Sequence, residues 1–322
     1  MEQLGNYIKS DDPSWLEARH QASFRNGWFT PQFIQIACNN IANLLLKKSA
    51  LQNWAAHYSI DDNITAKNVG VVMAGNIPLV GFHDFLAIFI SGHHQTIKLS
   101  SKDDLLLKHL VEKLYNIEPA TRAYISFSEI LKSRDAYIAT GSNNSSRYFE
   151  QYFAKYPNII RRNKTSAAIL TGTETTEDLE KLSDDIHLYF GLGCRNASKI
   201  FVPRDYDFIP LLKAFDKYAW FADHHKYKNN YDYQLSIILL NNIYYMTNGS
   251  TLLTENTGLF SPISHLFFEY YDDHDLVLHN LQQNEDVQCI IAEGAVNFGE
   301  AQHPGLFSYA DGVDTMQFLL TV

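Results

Sequence analysis

Long apolar runs, paired cysteines and an excess of positive charge are all missing from this 322-residue chain. No apolar stretch approaches the roughly 18 residues of a membrane-spanning helix, so no membrane insertion is expected. Lys and Arg number 26 against 36 Asp and Glu, a formal net charge of −10. That balance argues against nucleic acid as a sequence-independent partner and against an anionic membrane surface. Only three cysteines occur, Cys38, Cys194 and Cys289, far apart and without paired spacing. A disulfide framework and a zinc site are therefore not expected, and reduced thiols in a cytoplasm are. Residues 1–12 lack the charged-then-apolar pattern of a secretory signal, which supports the same location.

What remains is a globular composition, with 46% hydrophobic and 19% charged residues. A chain of this length can bury a sizeable core and is expected to divide into two domains. Apolar positions at helical spacing over Pro31–Tyr58 predict helix. Short apolar runs at Lys67–Ala74, Thr96–Leu99 and Ala136–Thr140 read as buried strands. They alternate with helical stretches at about Leu79–Ile90, at about Asp103–Tyr115 with Ser100 or Ser101 as cap, and around Phe149–Phe153. The alternation resumes after Arg161-Arg162-Asn163-Lys164. Strands are expected at Ala167–Leu170, Lys199–Val202, Ser264–Tyr271 and Val287–Ala292, with helices at Thr175–Tyr189, Asp207–Ala222 and Tyr231–Asn241. This pattern predicts an α/β protein with mostly parallel sheets, whose nucleotide crevice lies beyond the strand ends.

Four segments carry candidate chemistry. Cys194 follows Gly191-Leu192-Gly193 and leads into an Ile-Phe-Val run, where a stabilised thiolate would act as a nucleophile. Asn76, in Gly75-Asn76-Ile77-Pro78, stands where a strand gives way to a helix and could donate its amide to an oxyanion beside the Cys194 N–H. Lys98 ends a strand ahead of Ser100 and Ser101, a placement suited to a ribose or phosphate. Thr140-Gly141-Ser142 ends a strand and opens a helix, an anion-binding arrangement. Gly191-Leu192-Gly193 is not a dinucleotide fingerprint, because Asn196 occupies the place of the third small residue. The His93-His94 and His224-His225 pairs have poor spacing for metal ligands, and Asp272–Asp275 reads as a polar turn lacking a calcium-loop pattern. Cys38 and Cys289 read as buried, and most aromatics as core, with some available to line an acyl channel.

Taken in order, these segments resemble the aldehyde dehydrogenase superfamily from about Val69 onward. Gly75-Asn76-Ile77-Pro78-Leu79 is similar to its Pro-Trp-Asn-Phe-Pro-Leu turn, and Ile97-Lys98-Leu99-Ser100 to its Lys-Pro-Ser segment. Ala139-Thr140-Gly141-Ser142 resembles Phe-Thr-Gly-Ser, and Gly191-Leu192-Gly193-Cys194 resembles Gly-Gln-x-Cys. Phe260-Ser261-Pro262 and Phe298–Gly305 are similar to Phe-Gly-Pro and to the closing Phe-Gly-Gly loop. Within the superfamily, the short chain and the ending Tyr309–Met316 look most like the fatty acyl-CoA reductases of the LuxC type.

The resemblance implies an aldehyde dehydrogenase-like fold. Residues 1–165 would form the N-terminal region and a Rossmann-type cofactor-binding domain, completed by about 283–322, and residues 166–282 an α/β catalytic domain. It implies Cys194 as nucleophile, Asn76 at the oxyanion, and Lys98, Ser100, Ser101, Thr140, Gly141 and Ser142 around the cofactor, with no metal. The glutamate that activates water in hydrolytic members falls on Ile160, which favours reduction of an acyl-CoA or acyl-protein thioester to an aldehyde. The alternatives are an aldehyde dehydrogenase running oxidatively and a catalytically silent scaffold. A glutamate that selects NAD is replaced by Ser101 beside Lys102, so NADPH is the expected cofactor, with NADH open. The ribose-contacting glutamate before Phe-Gly-Pro aligns with Gly258, with Glu255 close by. An acyl-transferring protein is a candidate partner. The shortness of the chain suggests a trimmed N-terminus and reduced oligomerisation element, with a homodimer open.

Overall fold

The computed structural model describes residues 1–60 and 64–322. They divide into two compact units, one comprising 1–163 and 304–322 and the other 164–303. The second crossing lies at 304 and not near 283, because β11 (Val287–Ile291) pairs with β6 (Thr165–Ile169) inside the second unit.

The first unit begins with four helices, α1 (Glu2–Ile8), α2 (Pro13–Arg25), α3 (Pro31–Asn40) and α4 (Lys48–His57). Helical periodicity over 31–58 is interrupted by a π turn at Ile41–Leu45. Asp12 and Thr30 cap α2 and α3 ahead of a first-turn proline, a strong start signal. Then follow β1 (Asn68–Val72), α5 (Phe82–Ile90), β2 (His94–Lys98), α6 (Leu105–Ile117), β3 (Ile125–Phe127), β4 (Ala136–Thr140), α7 (Asn143–Phe153) and β5 (Asn158–Arg161). Neither Ser100 nor Ser101 caps α6. Its N-cap is Asp104, and the Ser100 hydroxyl instead accepts from the Lys102 N–H.

The five strands are parallel in the order β3-β2-β1-β4-β5. The chain starts in the middle of this sheet, builds one side, and returns to build the other. Such a reversal leaves a crevice outside the strands' carboxyl ends. Val69, Val71, Ile97 and Ile138 are at most 1% exposed, as expected of strands covered on both faces.

The second unit holds β6, α8 (Thr176–His187), β7 (Ala197–Pro203), α9 (Phe208–Ala214), α10 (His225–Leu240), β8 (Met246–Thr247), β9 (Leu252–Glu255), β10 (His265–Tyr271), α11 (His274–Gln282) and β11. Its sheet runs β11-β6-β7-β10-β9-β8, parallel except for the short β8 edge. The helix expected over 207–222 is α9 followed by a 3-10 segment, Phe215–Asp223, broken at Tyr218. The polar run 272–275 is no turn alone: Asp273 accepts from the Leu276 N–H and starts α11.

Candidate active site

In the first unit, the candidate residues converge on one sheet edge. Asn76 follows β1, Lys98 ends β2, and Thr140-Gly141-Ser142 closes β4, all at the carboxyl ends of parallel neighbours. Asn76, Lys98, Ser101 and Ser142 are exposed, and Ser100 is half-buried. Ser142 is the N-cap of α7, its hydroxyl accepting from the Ser145 N–H at 3.4 Å. The hydroxyl is thus occupied in part by the cap, and the helix N-terminus itself is the stronger anion site. A cation, two loop serines and a helix N-terminus at the open edge of this sheet fit a dinucleotide.

Two buried groups, invisible in a one-dimensional reading, hold this edge. Arg161, at the end of β5, pairs with Thr140, and its carbonyl accepts from the Gly141 N–H at 3.4 Å. Its guanidinium forms a buried ion pair with Asp84 and donates to the Thr315 hydroxyl at 2.8 Å. Asp103, 8% exposed, accepts from the Leu79 N–H at 2.7 Å, just beyond the Asn76 turn. Burial pushes the Asp103 carboxyl up to about 7, against the pull of that hydrogen bond.

Cys194 belongs to the second unit, in the loop between α8 and β7. It is half-buried and in no disulfide. The preceding turn is left-handed at three successive residues, Tyr189, Phe190 and Gly191, with φ of 57°, 59° and 71°. Two of these are bulky, and left-handed backbone costs each of order 1 kcal/mol, so packing has to hold them. Phe190 supplies that packing: its ring, 1% exposed, lies 4.3 to 5.9 Å from the rings of His224, Phe221, Tyr227 and Trp220.

Asn196 locks the other side of the loop. Its Nδ2 approaches the carbonyls of Leu188 (2.9 Å), Asp185 (3.1 Å) and Ile186 (3.3 Å), while its Oδ1 accepts from the Gly193 N–H at 2.8 Å. The residue that spoils the dinucleotide fingerprint therefore ties the end of α8 to Gly193, the residue before Cys194. Asn196→Ala would strand these buried groups and is expected to destabilise the protein by about 3 kcal/mol in urea unfolding.

The Cys194 carbonyl accepts from the Ser166 hydroxyl at 3.0 Å, and the Ser166 Oγ also lies 3.0 Å from the Cys289 Sγ. Cys289 is half-buried rather than buried, and burial pushes its thiol up. Cys38 is fully buried, its thiol pushed up to about 12. Asp185, completely buried in α8, accepts from Gly299 (2.6 Å) and Ala301 (3.0 Å) and so anchors the segment similar to the family's closing loop. A cavity of about 650 Å³, lined by Glu174, Asp178, Lys181, Glu293 and Glu300 among others, opens at the carboxyl ends of β6 and β11. The Cys194 loop enters at the amino end of β7, so this cavity is not its pocket.

His187, 2% exposed, is no metal ligand candidate. It is bonded through Nδ1 to the Ser183 carbonyl (2.8 Å), and Nε2 accepts from the Thr251 hydroxyl (2.8 Å). Burial depresses its pKa to about 4. The unfolded chain then binds a proton below about 6.5 that the folded chain refuses, so its contribution to stability is lost as pH falls from 6.5 toward 4. Asp185, raised to about 7, works the other way, weakening the fold as pH rises from about 4 to 7. His187→Gln is expected to remove about 2 kcal/mol of the stability difference between pH 7 and pH 5, measured by urea titration at both.

Two α/β units with parallel sheets, one built in the 3-2-1-4-5 order and the other carrying a cysteine loop ahead of a central strand, define the class to which solved structures can be compared. An oxidoreductase from Marinobacter aquaeolei matches with a TM-score of 0.67 at 11% identity, over 90% of this chain and 71% of its own. Aldehyde dehydrogenase 21 from Physcomitrella patens, solved with the product succinate, matches with 0.64 at 12%, over 87% and 69%. The NAD+ complex of an aldehyde dehydrogenase from Bacillus cereus matches with 0.61 at 12%, over 90% and 70%. No protein-family model and no curated protein sequence matches the chain. The chain therefore has the aldehyde dehydrogenase fold, with sequence identities at which only the fold is carried over.

Proposed function

We propose that this protein reduces acyl thioesters to aldehydes through a thioacyl intermediate on Cys194. The observation that carries the reading is the end of β5. Where hydrolytic enzymes of this fold family would present a water-activating carboxylate stand Ile160, Arg161 and Arg162. Arg161 is committed to Asp84, and Arg162 to Glu150 at 2.5 Å. Without a carboxylate at this position to activate water, a thioacyl enzyme persists long enough to be reduced.

The Cys194 thiolate attacks the thioester carbonyl, forming one C–S bond. The roles that the sequence resemblance implies make the Asn76 amide and the Cys194 N–H the donors to the tetrahedral oxyanion, whose collapse breaks the other C–S bond and expels the CoA thiolate. The same donors serve again when the thioacyl carbon is reduced and Cys194 leaves as thiolate with release of aldehyde. A reduced nicotinamide would supply the hydride, held by Lys98, Ser100, Ser101 and the Thr140-Gly141-Ser142 helix start. Ser101 removes a carboxylate that would repel a 2′-phosphate, and Lys102 adds a cation, which favours NADPH. A protein that delivers the acyl group fits this chemistry as a partner, and a homodimer as an assembly.

The second reading, oxidation of aldehydes, draws on the aldehyde dehydrogenases among the matching structures. Intact-mass measurement after incubation with a long-chain acyl-CoA separates the two. Reduction predicts an acyl adduct that is discharged as aldehyde when NADPH is added. Release of free acid from aldehyde and NAD(P)+, without an adduct from acyl-CoA, would establish the second reading instead.

A further inference from the structure

We infer that Asp103 is a positioning residue, which sets the Asn76 turn against the loop that follows Lys98. The inference rests on the oxyanion role proposed for Asn76.

The turn touches that loop on both sides of Asn76. On the near side, a Cβ on Gly75 would meet the Cβ and Oγ of Ser100 at 2.7 Å, so the backbone is in direct contact with the serine. On the far side, the Leu79 N–H donates to Asp103 Oδ2 at 2.7 Å. Leu79 is 5% exposed with φ of 57°, a left-handed conformation that a leucine does not take without being held. Asn76 lies exposed between these two contacts, each of which holds a neighbouring part of its turn.

The second carboxyl oxygen of Asp103, Oδ1, is buried with no hydrogen-bond partner. The site thus uses a single acceptor atom of Asp103 and makes no use of its other oxygen. An asparagine can supply the same acceptor, with its Nδ2 standing where Oδ1 is idle. An alanine cannot, and it leaves the Leu79 N–H buried and unsatisfied. This gives a pair of variants that differ in the hydrogen bond while both lack the charge.

The readout has to report on the oxyanion and not on the thiol alone. Acylation of Cys194 by p-nitrophenyl acetate forms an S–C bond, passes through a tetrahedral oxyanion and expels p-nitrophenolate, whose burst is measured. Alkylation by iodoacetamide displaces iodide directly and has no oxyanion. The ratio of the two rates isolates the function of the Asn76 turn. Asn76→Ala is expected to lower acylation by about 100-fold with alkylation little changed. Asp103→Ala should lower the ratio by roughly tenfold through misplacement of the turn, and Asp103→Asn should restore it to within about twofold of wild type.

A wild-type ratio in Asp103→Ala, alongside an impaired Asn76→Ala, would overturn the proposal and leave the oxyanion reading standing. Equal losses in the Ala and Asn variants, or a parallel fall in alkylation, would also overturn it, since neither follows from the hydrogen bond to Leu79. If wild-type Cys194 is not acylated, or Asn76→Ala is indifferent, the oxyanion reading fails first and takes the proposal with it.

Discussion

Cys194→Ala should abolish acyl-adduct formation and lower turnover by about 10⁴-fold or more, with little loss of stability. The asymmetry follows from what the residue contributes. Its hydrogen bond from Ser166 is made by the main-chain carbonyl, which alanine keeps. The loop itself is held by Asn196 and by the ring packing of Phe190, neither of which involves the thiol. Cys194→Ser should be nearly as inactive, because a hydroxyl ionises far less readily than a thiol. Cys289 provides the control. Its thiol is pushed up by burial, which opposes nucleophilic use, and Cys289→Ala should retain the adduct. Peptide mapping of the acylated enzyme checks both outcomes, and an adduct on Cys289 that survives Cys194→Ala would reverse the assignment.

The loop containing Cys194 was legible as a motif but not as a conformation. A glycine pair before a cysteine and an apolar strand can be read from the chain. That Tyr189 and Phe190 are left-handed cannot, because residues 220–227 impose it through ring contacts. The buried strands showed themselves as short apolar runs, and their alternation with helices conveyed the parallel sheets. β3 and β5 are only three and four residues long, too short to stand out. The start of α11 reads as a turn in sequence although Asp273 is a proper cap, since the residues after it are largely exposed and their periodicity is weak. Asp103, Arg161 and Asp185 had no visible signal at all. Each looks like an ordinary surface charge in sequence, and each is buried by elements distant along the chain. The return of the chain to the first unit, at 304 and not near 283, is hidden in the sequence for a related reason. Val287–Ile291 has the composition of any buried strand, and only its pairing with β6 assigns it to the second unit.

Asp84→Ala should be among the most destabilising substitutions in the first unit, by about 3–5 kcal/mol. The side chains of Arg161 and Asp84 are 6% and 7% exposed. Removing the carboxylate takes the Asp84 counter-charge away from a buried guanidinium that cannot shed its proton and that also donates to the Thr315 hydroxyl. The cost arises mainly from the buried charge that loses Asp84 and not from the worth of the pair, because both ions gave up hydration to form it. A double replacement makes the distinction measurable. Asp84→Leu with Arg161→Met removes both charges while keeping comparable volume, and it should recover most of the loss, as buried pairs exchanged for apolar groups often do. Because Arg161 also carries the backbone beside Thr140 and Gly141, the single variant should weaken binding of the proposed nicotinamide cofactor in addition, and the double variant should restore it. Urea unfolding and cofactor titration on the same three proteins test this. A double variant as unstable as Asp84→Ala would mean that the pair contributes shape and hydrogen bonds that apolar side chains cannot replace.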